Sequence, residues 1–151
     1  MECCIKEQKN DKRQHLTSGL AEVAVQARRN RSVTLQVCLW HIPQIKHKLG
    51  ISGVSTNYSS WRNTENAAQI DLVIDRNDHI INLCEMKYSK DEYTITKEYN
   101  DVLRKRYALF TDETKTRKTV HTTMITTLGV KHNMYRGNIQ SEVILDNLFA
   151  I

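Results

Sequence analysis

Residues 68–88 read Ala68-Gln69-Ile70-Asp71-Leu72-Val73-Ile74-Asp75-Arg76-Asn77-Asp78-His79-Ile80-Ile81-Asn82-Leu83-Cys84-Glu85-Met86-Lys87-Tyr88, and this stretch decides the fold. Two runs of β-forming residues flank the polar centre Arg76-Asn77-Asp78-His79, so the pattern predicts two strands in an antiparallel hairpin. Each run is apolar on both faces, as expected of strands inside a covered sheet. Into these runs the chain inserts Asp71, Asp75, Glu85 and Lys87. Buried charge is costly unless it is paired, hydrogen-bonded or metal-bound, so acids and a base on interior strands are site candidates.

Side chains alternate along a strand, which puts Glu85 and Lys87 on one face with the Met86 carbonyl between them. A second carboxylate must come from the neighbouring strand, and register decides which. If paired positions sum to 156, Asp71 faces Glu85 at about 5 Å. Asp75 then opposes Ile81, more than about 12 Å down the strand, and is a poor ligand. That register needs an odd connection, such as the three residues 77–79, or a bulge. An even turn would set Asp71 opposite Cys84.

Outward from the hairpin, Thr96 has the chemistry of a helix N-cap, and Tyr99, Val102, Leu103, Arg106 and Phe110 recur at helical spacing to about residue 110. Residues 119–127 are dense in β-branched side chains and predict a third strand; 141–145 predict a short fourth. On the other side, 52–66 is rich in Ser, Thr and Asn and is expected to be loop plus one irregular strand, with Trp61 as a core anchor or a stacking platform. Helical patterns cover 19–28 and 33–49. In the second, Val37, Trp40, Ile45 and Leu49 are expected to point inward, Pro43 to kink or restart the helix and Gly50 to stop it. The expectation is α/β: a mixed central sheet flanked by helices, with a flexible N-terminus over 1–15 and a single domain over 16–151.

The 151 residues include 40% hydrophobic and 26% charged side chains, enough apolar material to close one core. Lys plus Arg exceed Asp plus Glu by 22 to 17, a +5 balance that favours a polyanionic partner. Cys3, Cys4, Cys38 and Cys84 form no C-x-x-C pair, and they read as reduced thiols of a cytoplasmic protein. No apolar run has the length of a membrane span, and no glycine pattern matches a G-x-x-x-x-G-K-[ST] phosphate loop. His79 belongs to the hairpin turn, and His121 and His132 have no partner in a recognisable pattern.

If Asp71, Glu85 and the Met86 carbonyl ligate a hard cation, Mg2+ or Mn2+, the site has the oxygen donors such an ion takes. Such an ion polarises a phosphate and lowers the pKa of a bound water, while Lys87 orients that water and stabilises developing charge. The opposing reading pairs Glu85 with Lys87 as a partly buried ion pair and leaves Asp71 to cap a turn. Lys97, Arg104 and Lys105, with the Lys115, Arg117 and Lys118 run, form a candidate nucleic-acid surface. Interruption by Glu98, Asp101, Asp112 and Glu113 makes a solvated helix face the competing interpretation. Tyr88 and Tyr99 either contact a substrate or cover a sheet edge.

Residues 69–73 followed by Glu85-Met86-Lys87 resemble the strand pair of the PD-(D/E)xK, restriction-endonuclease-like nuclease superfamily. Residues 68–76, 81–89 and 141–149 are similar to the C-terminal nuclease-like domain that follows a P-loop ATPase module in a family of prokaryotic ATPases, the similarity running from about 34 to 149. The resemblance implies a restriction-endonuclease-like fold and metal-dependent DNA cleavage, with Asp71, Glu85 and Lys87 at the motif positions. The helix before the strand pair often carries a further acid, whereas 34–38 here is Thr-Leu-Gln-Val-Cys; Glu22 is the nearest substitute. A catalytically degenerate relative that binds nucleic acid or an ATPase partner is the alternative, since no ATPase module is present in this sequence.

Overall fold

A computed structural model describes residues 31–65 and 67–149. The expected helix at 19–28, the flexible segment 1–15 and Glu22 lie outside the described residues. Two helices open the described chain, α1 (Arg31–Trp40) and α2 (Ile42–Lys48), with Pro43 in the first turn of α2, where its missing N–H costs nothing. Of the two outcomes expected at Pro43, a kink or a restart, the structure shows the restart: the helical region over 33–49 is divided at His41. Gly50, at φ +70°, follows α2 in the left-handed conformation that suits glycine beyond a helix end.

Five strands follow in one sheet, in the order β1-β2-β3-β4-β5: β1 (Thr56–Arg62), β2 (Gln69–Arg76), β3 (Ile80–Lys87), β4 (Thr119–Thr126) and β5 (Ser141–Ile144). The first three pair antiparallel; β4 joins β3, and β5 joins β4, in parallel. Parallel pairing requires a crossover, supplied between β3 and β4 by α3 (Lys97–Thr114). The Thr96 hydroxyl accepts from the Tyr99 amide at 3.2 Å, capping α3 as its sequence predicts. A 3-10 turn (Arg136–Asn138) and a short helix α4 (Leu145–Leu148) complete the fold. The α/β class and the helix-flanked mixed sheet agree with the sequence reading.

Helices cover both faces of the sheet. On one, Cys38, Ile42 and Ile45 of α1 and α2 and Leu148 of α4 pack on Leu72, Ile74, Cys84, Ile125 and Val143. On the other, Phe110 of α3 packs on Ile70, Val73, Ile81, Leu83 and Val120, while Leu103 packs with Ile95, Met124, Val130 and Ile139. Trp61 closes the second face, edge to face with Phe110 at 5.4 Å, so its role is that of a core anchor. Two expected inward residues face outward: Trp40 is 70% exposed and Val102 is 41% exposed. The buried face of the first helical region runs through Cys38, Ile42 and Ile45 to the partly buried Leu49, a continuous i, i+4, i+7, i+11 face on which Trp40 does not lie. No helix among the described residues is long and apolar enough to cross a membrane.

Candidate active site at the end of the hairpin

The hairpin has the odd register. Leu72 pairs with Cys84, Val73 with Leu83, Ile74 with Asn82 and Asp75 with Ile81. Asn77, Asp78 and His79 form the three-residue connection between Arg76 and Ile80. His79, at φ +65°, supplies the left-handed residue that ends such a loop, and this loop length imposes the odd pairing. Asp71 and Glu85 are next in line beyond Leu72 and Cys84.

On β3, alternation sends Ile81, Leu83, Glu85 and Lys87 toward α3, and Cys84 and Met86 toward α1 and α2. Glu85 is buried, 7% exposed, beneath two residues of α3 that lie two turns apart. Arg106 donates to its Oε2 in an ion pair, and the Tyr99 hydroxyl donates to the same oxygen at 3.3 Å. Lys87 lies with its Nζ 4.4 Å from the centre of the Tyr99 ring, a cation–π contact. Tyr93 meets Tyr99 edge to face at 5.6 Å and walls this end. Burial holds the Glu85 carboxyl above the usual carboxylate range, and the attraction of Arg106 and Lys87 and the Tyr99 bond offset only part of the shift. The same burial, with Glu85 nearby, pushes the Tyr99 phenol up.

Asp71 sits where β2 departs from regularity. Ser59 pairs with Val73 and Trp61 with Ile70, so Ser60 alone stands against Asp71 and Leu72, a bulge. Its mark is that Ile70 and Val73, three apart, both pack toward α3, which strict alternation forbids. Bulges re-aim side chains, and the Asp71 carboxylate here accepts a hydrogen bond from Gln69 Nε2 at 2.9 Å. The structure thus gathers Glu85, Lys87, Tyr99 and Arg106 around one point, and holds Asp71 on the adjacent strand through Gln69. Asp75, excluded as a ligand by register, pairs instead with Lys118.

The predicted basic surface divides. Lys105 lines a cleft of about 440 Å3 with Arg62, Gln69, Val102 and Arg106, at the mouth of the site. Arg104 lines a different cleft, of about 450 Å3, with Asn100, Tyr107, Thr122 and Gln140. Lys115 pairs with Asp112, and Lys118 bonds Asp75 and the Arg76 carbonyl, so both are engaged away from the cleft. Lys97 and Arg117 are exposed. Arg106 and Arg62 were not singled out as site residues by the sequence. The signal for Arg106 was an arginine at an apolar-spaced position of a helix, three residues after the core Leu103.

Glu85, Asp71 and the Met86 carbonyl are hard oxygen donors, which fits Mg2+ or Mn2+ in chemistry. Among the described residues no three His, Cys, Asp or Glu side chains group to hold a metal, so such a site draws on backbone, water or substrate oxygens for the rest of its shell. Comparison of the chain with family models, curated proteins and solved structures gave no match.

Proposed function

We propose that this is a metal-dependent, nuclease-type domain that hydrolyses phosphodiester bonds in DNA, with Asp71, Glu85 and Lys87 as its catalytic residues. The observation that carries the reading is the odd hairpin register, whose last pair, Leu72 with Cys84, leaves Asp71 and Glu85 as the next residues of their strands, with Lys87 following on the alternation of Glu85. An Asp–Glu pair with a lysine two residues on is the minimum a phosphoryl-transfer site of this type needs. A bound Mg2+ or Mn2+ supplies Lewis acidity at the phosphate.

The remaining steps belong to the protein. The Glu85 carboxylate, held at its Oε2 by Arg106 and Tyr99, is the hard oxygen donor that a divalent cation takes. Lys87, directed by the Tyr99 ring, stands where its ammonium orients a water and offsets charge on the phosphate oxygens. Arg106 neutralises Glu85 in the absence of other cations and offers a planar donor fork to phosphate when Glu85 is otherwise engaged.

That ion pair favours a second reading, a degenerate nuclease-like domain that binds nucleic acid, or a P-loop ATPase partner, without cutting: Arg106 occupies the oxygen that a metal would use. A cleavage assay on plasmid DNA with Mg2+ or Mn2+ decides. The nuclease reading expects nicking by the wild type and loss of at least about a hundredfold, roughly 2.7 kcal/mol of barrier, in Glu85→Gln and Lys87→Ala. Equal activity in all three, or none in any, overturns it.

A further inference from the structure

The cleft beside Glu85 has a composition that the acid pair does not explain. Arg62 at the end of β1 and Lys105 and Arg106 on α3 place three cations around its opening, and among the described residues lining it none is acidic. Small side chains, Ala67 and Ala68, form one wall. The cations are wired to both carboxylates of the candidate site. Arg62 donates to Gln69 Oε1 at 2.8 Å, and Gln69 donates onward to Asp71; Arg106 pairs directly with Glu85. An anion lodged between Arg62, Lys105 and Arg106 is therefore linked to both acids, from Arg62 through two hydrogen bonds by way of Gln69 to Asp71, and from Arg106 through one ion pair to Glu85.

We propose that this cleft seats a backbone phosphate of the nucleic-acid strand, held by Arg62 and Lys105 from opposite walls, with Arg106 joining the phosphate to the Glu85 site. The inference rests on the nucleic-acid reading above and adds the residues that hold the strand. Guanidinium groups match phosphate oxygens in a planar fork, and an ammonium adds a point charge. The volume of about 440 Å3 accommodates a sugar with its phosphate rather than an isolated anion alone. Arg104, one residue from Lys105, opens on the other cleft and serves as an internal control.

The test is fluorescence anisotropy of a labelled 20-base oligonucleotide in EDTA, where cleavage cannot intervene, across a salt series. Arg62→Gln and Lys105→Ala, both at exposed positions, are each expected to weaken binding about fivefold and to lower the log-log salt slope by about one, with Arg104→Ala within about twofold of wild type. Binding unchanged in Arg62→Gln and Lys105→Ala, or weakened equally by Arg104→Ala, overturns the proposal. So does inorganic phosphate that competes as tightly as the oligonucleotide, which marks a seat for the free anion. Manganese titration of the same variants separates the two readings. Intact, Glu85-dependent Mn2+ binding with unchanged DNA affinity in the variants sinks the cleft alone; loss of Mn2+ binding and of DNA binding in the wild type sinks the nuclease reading as well.

Discussion

Arg106, on the third helix, donates to the carboxylate of Glu85, on the third strand, across 21 positions of sequence, and the same arginine lines a cationic cleft. Both side chains are largely buried, so removing one leaves the other charged and out of water. Arg106→Ala should cost about 3 kcal/mol of stability, and Arg106→Lys distinctly less, by urea denaturation monitored by circular dichroism. A loss below about 1 kcal/mol for Arg106→Ala would show that water replaces the guanidinium without penalty.

The pH dependence of the same carboxyl has a definite sign. Burial raises its pKa in the folded protein above the unfolded value, so the folded state holds this proton to higher pH. The corresponding increment of stability is fully present below the unfolded value, about 4.3, and is lost as pH rises through the folded value. The stability of wild type minus that of Glu85→Gln should therefore fall as pH rises above the unfolded value of about 4.3. A difference that grows over that range contradicts the burial argument.

The hairpin turn is a third point of test. His79 holds φ +65°, which disfavours a β-branched side chain. His79→Val should destabilise by about 1 kcal/mol or more, and His79→Gly should be neutral or stabilising by a few tenths. Thermal melts of the two variants give the comparison; equal melting temperatures would mean that the turn relaxes to another geometry.

Much of this arrangement was legible in the sequence, because the strands are long, strongly apolar and separated by a polar turn of fixed length. Three residues between Arg76 and Ile80 decide the parity of the hairpin, and parity sets Asp75 opposite Ile81, away from Glu85, and Leu72 opposite Cys84. The cap at Thr96 and the strands at 119–126 and 141–144 were equally readable, since each rests on local chemistry. The bulge at Asp71 and Leu72 was not, for it is set by how β1 pairs with β2, and β1 is a polar, mostly exposed edge strand with little pattern of its own. Nor was the inward turn of Arg106, because helical spacing alone does not tell an ion pair in a gap of the core from a charge on its rim. Trp40 misled for a related reason: apolar character alone does not choose the face, and the buried one follows Cys38, Ile42, Ile45 and Leu49 at i, i+4, i+7 and i+11, with Trp40 off it.

The two described cysteines offer a check on the packing of α1 against the sheet. Cys38 contacts the Met86 sulfur at 3.3 Å, and burial pushes its thiol up to about 12. The fully buried Cys84 thiol is raised by the same cause. Because the thiolate is the nucleophile, both should resist alkylation by iodoacetamide at pH 8 in the native protein and react on denaturation. Peptide mapping by mass spectrometry assigns the label to each position, and rapid native labelling of Cys38 would place α1 away from the sheet.

Whether a cation lodges at the end of the hairpin is decided by calorimetric titration with Mn2+. One site per chain is expected in the wild type, with affinity reduced at least about tenfold, or about 1.4 kcal/mol, in both Glu85→Gln and Asp71→Asn. Absence of binding, or binding that both variants retain unchanged, would contradict it.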